Sequence, residues 1–116
     1  MLVQESGDGT LLLAQATPRR WLEDGKEIKV ENAPTFFGKV SLTIRSDASS
    51  GRIIGQIESP QRNRPAAIVL RLRHPDEKSI QSVTVNGQNW KDFDAEKESI
   101  RIENPKDRSY EVIASY

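Results

Sequence analysis

The chain has 116 residues, enough for one domain with a modest core. Lys and Arg together number 17, as do Asp and Glu, so the formal charge is zero, which argues against a nucleic-acid protein and against adsorption to an anionic membrane through bulk charge. There is no cysteine, which excludes disulfides, thiolate metal sites and cysteine nucleophiles, and no apolar run approaches the roughly 20 residues that span a bilayer.

Met1 to Gln4 reads as a short strand or a frayed end, and Glu5-Ser6-Gly7-Asp8-Gly9 as a turn by composition. Thr10 to Gln15 is an expected strand, and its three successive leucines imply burial on both faces or contact with something outside the chain. The run is short, follows Glu5 and Asp8, and has no basic segment before it, so it reads as a strand rather than a signal peptide. Thr17 can cap and Pro18 fits the first helical position. A single helical turn is therefore expected near residues 18–23, stopped by Gly25, with Trp21 and Leu22 packed under a sheet edge. Glu27 to Val30 predicts a short strand, and Asn32-Ala33-Pro34-Thr35 a bend.

Phe36-Phe37-Gly38 leads into Lys39 to Arg45, where Val40, Leu42 and Ile44 alternate with Ser41, Thr43 and Arg45. This period of two is that of a half-buried strand. Arg52 to Glu58 is its expected partner, and Gly55 inside it implies a bulge or a close backbone approach. Ser59 to Pro65 reads as a loop crossing between sheets.

The stretch from Ala66 to Trp90 holds the strongest signals. Ile68, Leu70 and Leu72 share one face of a strand, with Val69, Arg71 and Arg73 on the other, and Pro75 ends it near His74. A second strand, Ser79 to Val85, runs into Asn86-Gly87, a pair suited to a type I′ hairpin turn. Trp90 then folds back toward the core, where full burial of an indole is worth on the order of 2–3 kcal/mol. Lys91 to Lys97 is polar around Phe93, Ser99 to Ile102 is a short strand, and Asn104-Pro105-Lys106-Asp107 is a turn. The last strand, Ser109 to Tyr116, puts Tyr110, Val112, Ala114 and Tyr116 on one face and Ile113 on the other. Eight or nine short strands with regular turn clusters predict an all-β fold, an antiparallel β-sandwich, in one domain covering residues 1–116.

Chemistry-bearing residues are sparse. His74 is the only histidine, and it reads as a strand-end residue before a proline, since no second histidine or cysteine is there to complete a metal site. Asp92, Asp94 and Glu96 alternate, but no glycine lies among them to shape a calcium loop, so a solvated loop around Phe93 is expected. Arg19, Arg20, Arg62, Arg64, Arg71 and Arg73 supply forked donors that suit acidic sugars, although equally numerous acids argue for a merely wet face. Trp21, Phe36, Phe37 and Trp90 are either core or a sugar-stacking platform, the second only if two stand exposed side by side. No catalytic constellation emerges, and no cofactor is implied.

Four stretches carry a family resemblance: Asp8 to Leu13, Pro18 to Leu22, Ala33 to Ser41, and Val69 to Pro75 continued by Ser82 to Trp90. In that order they resemble the C-terminal β-sandwich of bacterial glycoside hydrolases whose catalytic domain is an (α/α)-toroid, the six-hairpin glycosidases. The catalytic carboxylates of that family lie in the toroid. The resemblance thus implies a non-catalytic accessory domain, a portion of a longer glycosidase-like protein, with a toroid domain in the same or a neighbouring chain as partner and a periplasmic or secreted location. The alternative is a carbohydrate-binding module that presents Trp21, Trp90, Arg71 and Arg73 to a glycan. The accessory reading expects an exposed apolar patch near the N-terminal end, built around Leu11-Leu12-Leu13 and Trp21-Leu22.

Overall fold

The structure, a computed structural model, describes residues 3–15, 18–60 and 63–116, and for Arg19 the backbone alone. Eleven strands are described in chain order: β1 (Val3–Glu5), β2 (Thr10–Leu13), β3 (Glu27–Thr35), β4 (Gly38–Asp47), β5 (Arg52–Glu58), β6 (Ala67–Arg71), β7 (Ser82–Val85), β8 (Gln88–Trp90), β9 (Phe93–Asp94), β10 (Ser99–Glu103) and β11 (Ser109–Ser115). They form two sheets, one of order β1-β2-β6-β10-β9 and the other of order β3-β4-β5-β11-β7-β8. The expected all-β sandwich is what forms. The strand count exceeds eight or nine because the pieces at the sheet edges, β1, β8 and β9, are two or three residues long and leave little periodicity in the sequence.

Alternation fixes which side of each strand is buried. Leu11 and Leu13 of β2, Ile68 and Leu70 of β6, and Ile100 and Ile102 of β10 line the inner face of the five-stranded sheet. Val40, Leu42 and Ile44 of β4, Ile53 and Ile57 of β5, and Tyr110, Val112 and Ala114 of β11 line the inner face of the other. Gly55 faces the other layer at close range: a Cβ there would lie 2.9 Å from Leu70 Cδ2. Neither sequence reading for Gly55 is what forms: β5 pairs through it without a register slip, and what comes close is a leucine side chain of the facing sheet, not another backbone.

Several expectations about the strands change in the tertiary structure. The Asn32–Thr35 segment does not end β3. The register slips between Val30 and Ala33, with Asn32 at φ 51°, and the strand then resumes against β4. A bulge absorbs the local turn signal because β4 continues to offer hydrogen bonds beyond it. The sandwich is not wholly antiparallel either: β2 and β6 run parallel, since the chain leaves the five-stranded sheet after β2, builds β3, β4 and β5 in the other, and returns beside its starting point. The ordered strand ends at Arg71 rather than His74, although the alternation persists, with Leu72 buried and Arg73 half-buried.

The helical turn is a single 3₁₀ turn, Arg19–Leu22, with Pro18 at its N-cap position rather than at the first helical one. The proposed Thr17 cap lies outside the described residues. Leu22 is fully buried and its carbonyl accepts a hydrogen bond from the Ser46 hydroxyl, but Trp21 is 43% exposed rather than tucked under the sheet. The Asn86-Gly87 hairpin forms as expected, with φ of 51° and 80°. Asn86 also fastens the turn to β11, donating from its N–H to Glu111 O and accepting from Glu111 N–H through Oδ1 at 2.8 Å. Near the chain's end the Tyr110 hydroxyl accepts from the N–H groups of Lys106 and Asp107, closing the Asn104–Asp107 turn.

Candidate functional site

The residues singled out from sequence for glycan binding are dispersed. Trp21 lines a shallow surface hollow with Lys26, Glu27 and Ile28, at the start of edge strand β3. Trp90 lies on β8, the opposite edge of the same six-stranded sheet, and five strand spacings put those edges roughly 24 Å apart. Trp90 is half-buried, not fully buried, and its Nε1–H donates to Arg101 O of the facing sheet at 2.8 Å, so the indole bridges the two layers. No aromatic platform joins the two tryptophans.

Arg71 and Arg73 do share the outer side of β6 and its continuation. The Arg71 guanidinium, however, donates from Nε to Lys97 O at 3.0 Å and from an Nη to Gln15 O at 3.1 Å. Its fork therefore ties the end of β2 to the turn before β10. Of the other arginines, Arg62 lies outside the described residues, and Arg20 and Arg64 are exposed.

His74 is buried at 1% exposure. Its Nδ1 accepts from Asp76 N–H at 3.0 Å and its ring packs on Tyr116 at 4.8 Å between centroids. Beside it is a residue the sequence reading missed: Glu98, 3% exposed at φ 55°, whose carboxylate accepts from the His74 N–H at 2.7 Å. The Tyr116 hydroxyl donates to Leu72 O. These groups anchor the irregular segment after β6, and a glutamate in a polar run carries no sequence signal of burial. Asp94 is engaged in a local turn, its Oδ1 accepting from the N–H groups of Glu96 and Lys97.

The surface feature of most consequence is the turn between β3 and β4. Phe36 is 70% exposed, while Phe37, edge-on to it at 5.6 Å, is buried in the core. The turn is held from three directions. Phe36 N–H donates to the Glu5 carboxylate of β1 at 2.6 Å, Asn63 donates to the carbonyls of both Phe36 and Phe37, and the Thr35 hydroxyl bridges Phe37 N–H and Gly38 O. A rigid backbone thus presents a bare benzyl group beside the first strand. The expected patch near the N-terminal end is accordingly composed otherwise than anticipated. Leu11, Leu13 and Leu22 face the interior and Leu12 is half-buried, so among the described residues the exposed large apolar side chains are Trp21 and Phe36, at the two ends of β3.

Geometry and comparison agree on the class of fold: a two-layer β-sandwich domain. One solved structure, a chain described as a glycoside hydrolase, matches 98% of this chain with a TM-score of 0.58 at 14% identity. At that identity the likeness is one of fold. The matched region is 17% of that chain, so this protein spans about a sixth of its length. No family model matches the sequence, and no curated protein does.

Proposed function

We propose that this chain is a non-catalytic accessory sandwich that packs against a glycoside hydrolase catalytic domain, of the (α/α)-toroid kind its sequence resembles. The observation that carries the reading is Phe36: a large apolar side chain, 70% exposed, on a turn fixed by Glu5 and Asn63. Leaving such a group in water has no folding benefit, and its backbone is already held, so docking would lose little backbone entropy. Support also comes from the neighbour, in which a glycoside hydrolase chain contains a region of this shape and much further polypeptide besides.

The test is to join the chain to the catalytic domain encoded upstream in its reading frame, or to mix it with the one encoded beside it. Phe36→Asp is expected to weaken the association at least tenfold, or to lower the melting temperature of the joined protein, while leaving that of the isolated sandwich unchanged. An equal effect on both, or on neither, would refute the docking role, as would the lack of any glycosidase-like sequence in or beside the frame. The isolated chain is expected to release no chromophore from aryl glycosides. Direct glycan binding is the second reading, favoured by a polar trough on the six-stranded sheet.

A further inference from the structure

The outer face of the six-stranded sheet carries two cross-strand rows of polar side chains. Register aligns Lys29 of β3, Thr43 of β4, Gln56 of β5 and Glu111 of β11 in one row. It aligns Ser41, Glu58 and Ser109 in the next. Where β3 should complete the second row, the bulge instead lifts Asn32, whose N–H donates to the Ser41 hydroxyl at 3.0 Å. Between and beyond the rows lies a trough of about 520 Å³. It continues into a hollow of about 380 Å³ that shares Asn32, Ser41, Glu58 and Ser109 and ends at Lys39 and Arg108.

We infer that this trough binds an extended, uncharged oligosaccharide laid across the strands. Its size falls within the range of small-ligand sites. Its side chains are almost all hydrogen-bonding ones, with acceptors and donors interleaved, which suits a ligand of hydroxyl groups that both give and take protons. Charge complementarity selects the uncharged kind: Lys29, Lys39 and Arg108 are offset by Glu31, Glu58 and, beside Gln56, Glu111, so an anionic chain would meet carboxylates as well as cations. Strands stand about 4.8 Å apart, close to the repeat of one sugar in an extended glycan. A chain running across β3, β4, β5 and β11 would therefore find a new polar partner at each residue. The trough does not overlap Trp21, Trp90, Arg71 or Arg73. The inference rests on the glycan-binding reading and is independent of docking through Phe36.

The test is a titration of the ¹⁵N-labelled chain, followed by amide chemical shifts, with soluble neutral hexasaccharides of glucose, xylose, mannose and arabinose, and with oligogalacturonide as the charged comparison. The expected result is saturable shifts at Asn32, Ser41, Gln56 and Glu58 with at least one neutral oligosaccharide, weakened tenfold or more by Gln56→Ala and by Glu58→Ala. Both positions are exposed, so circular dichroism should show an unaltered fold. Shifts confined to the Arg71–Arg73 side or to Trp21 would overturn the trough and leave glycan binding standing elsewhere. Tighter binding of oligogalacturonide would overturn the preference for an uncharged ligand. No shift with any sugar would overturn the trough and the glycan-binding reading together, leaving the docking test untouched.

Discussion

Replacing Gly55 by alanine adds one methyl group at the point where the layers touch, and its cost can be worked from the structure. The new Cβ would stand 2.9 Å from Leu70 Cδ2 and 3.8 Å from Leu72 Cδ2. The first distance is well inside van der Waals contact. Leu70 can turn aside only by pressing on its neighbours, because it is fully buried in the same core as Leu11, Leu72 and Ile100. Overpacking of this kind costs about 1–3 kcal/mol. Alanine also restricts the unfolded chain, which returns about 0.4–1 kcal/mol at a site whose backbone angles it can adopt. From the middle of both ranges, a net loss of about 1–2 kcal/mol is expected. With about 2.1 cal/mol/K of unfolding entropy per residue, each kcal/mol moves the melting temperature by about 4 °C in a chain of this length. Gly55→Ala should thus melt about 4–8 °C lower, with the denaturant slope unchanged. The clash has a named partner, so it should couple to it. Leu70→Val removes Cδ2 at a cost near 1 kcal/mol for the lost methylene, and in that background Gly55→Ala should be neutral or stabilising. The coupling from the double-mutant cycle should reach about 1–2 kcal/mol. Additive losses, or a stabilised single variant, would refute the close-contact argument.

Two further outcomes are expected. Gly87→Ala places a Cβ at φ 80° in the β7–β8 turn and should cost about 1 kcal/mol by chemical denaturation, because that backbone region disfavours L side chains; an unchanged midpoint would show that the turn is not held as described. Hydrogen bonds from the Thr10 side chain, then from Ser6 and the Thr10 backbone, hold the exposed Asp8 carboxyl below its usual value of 3.8. Since the folded-state value is the depressed one, its contribution is present above pH 3.8 and fades as pH falls through the folded value. An NMR titration of Asp8 should show a midpoint below 3.8, which Thr10→Val raises; a midpoint at or above it would contradict the turn geometry.

Much of the fold was legible because the period of two is a local property. Val40, Leu42 and Ile44 in one strand, Ile68 and Leu70 in another, and Tyr110, Val112 and Ala114 in the last each announce an inner face without reference to the rest of the chain. Arg52–Glu58 was readable to the residue, and Asn86-Gly87 named its own turn. Backbone angle and side-chain chemistry at such places depend on neighbours two or three residues away, and the sequence contains them.

Which sheet a strand joins, and what then stands beside it, depends on partners far along the chain. The parallel pairing of β2 with β6, the resumption of β3 after its bulge, the separation of Trp21 from Trp90 and the burial of Glu98 beside His74 are all decided by contacts between residues tens of positions apart. Both candidate surfaces are of this kind. Phe36 is exposed because Glu5 and Asn63 hold its turn outward, and the polar trough exists because register brings Thr43, Gln56 and Glu58 into line across strands whose order no local pattern encodes.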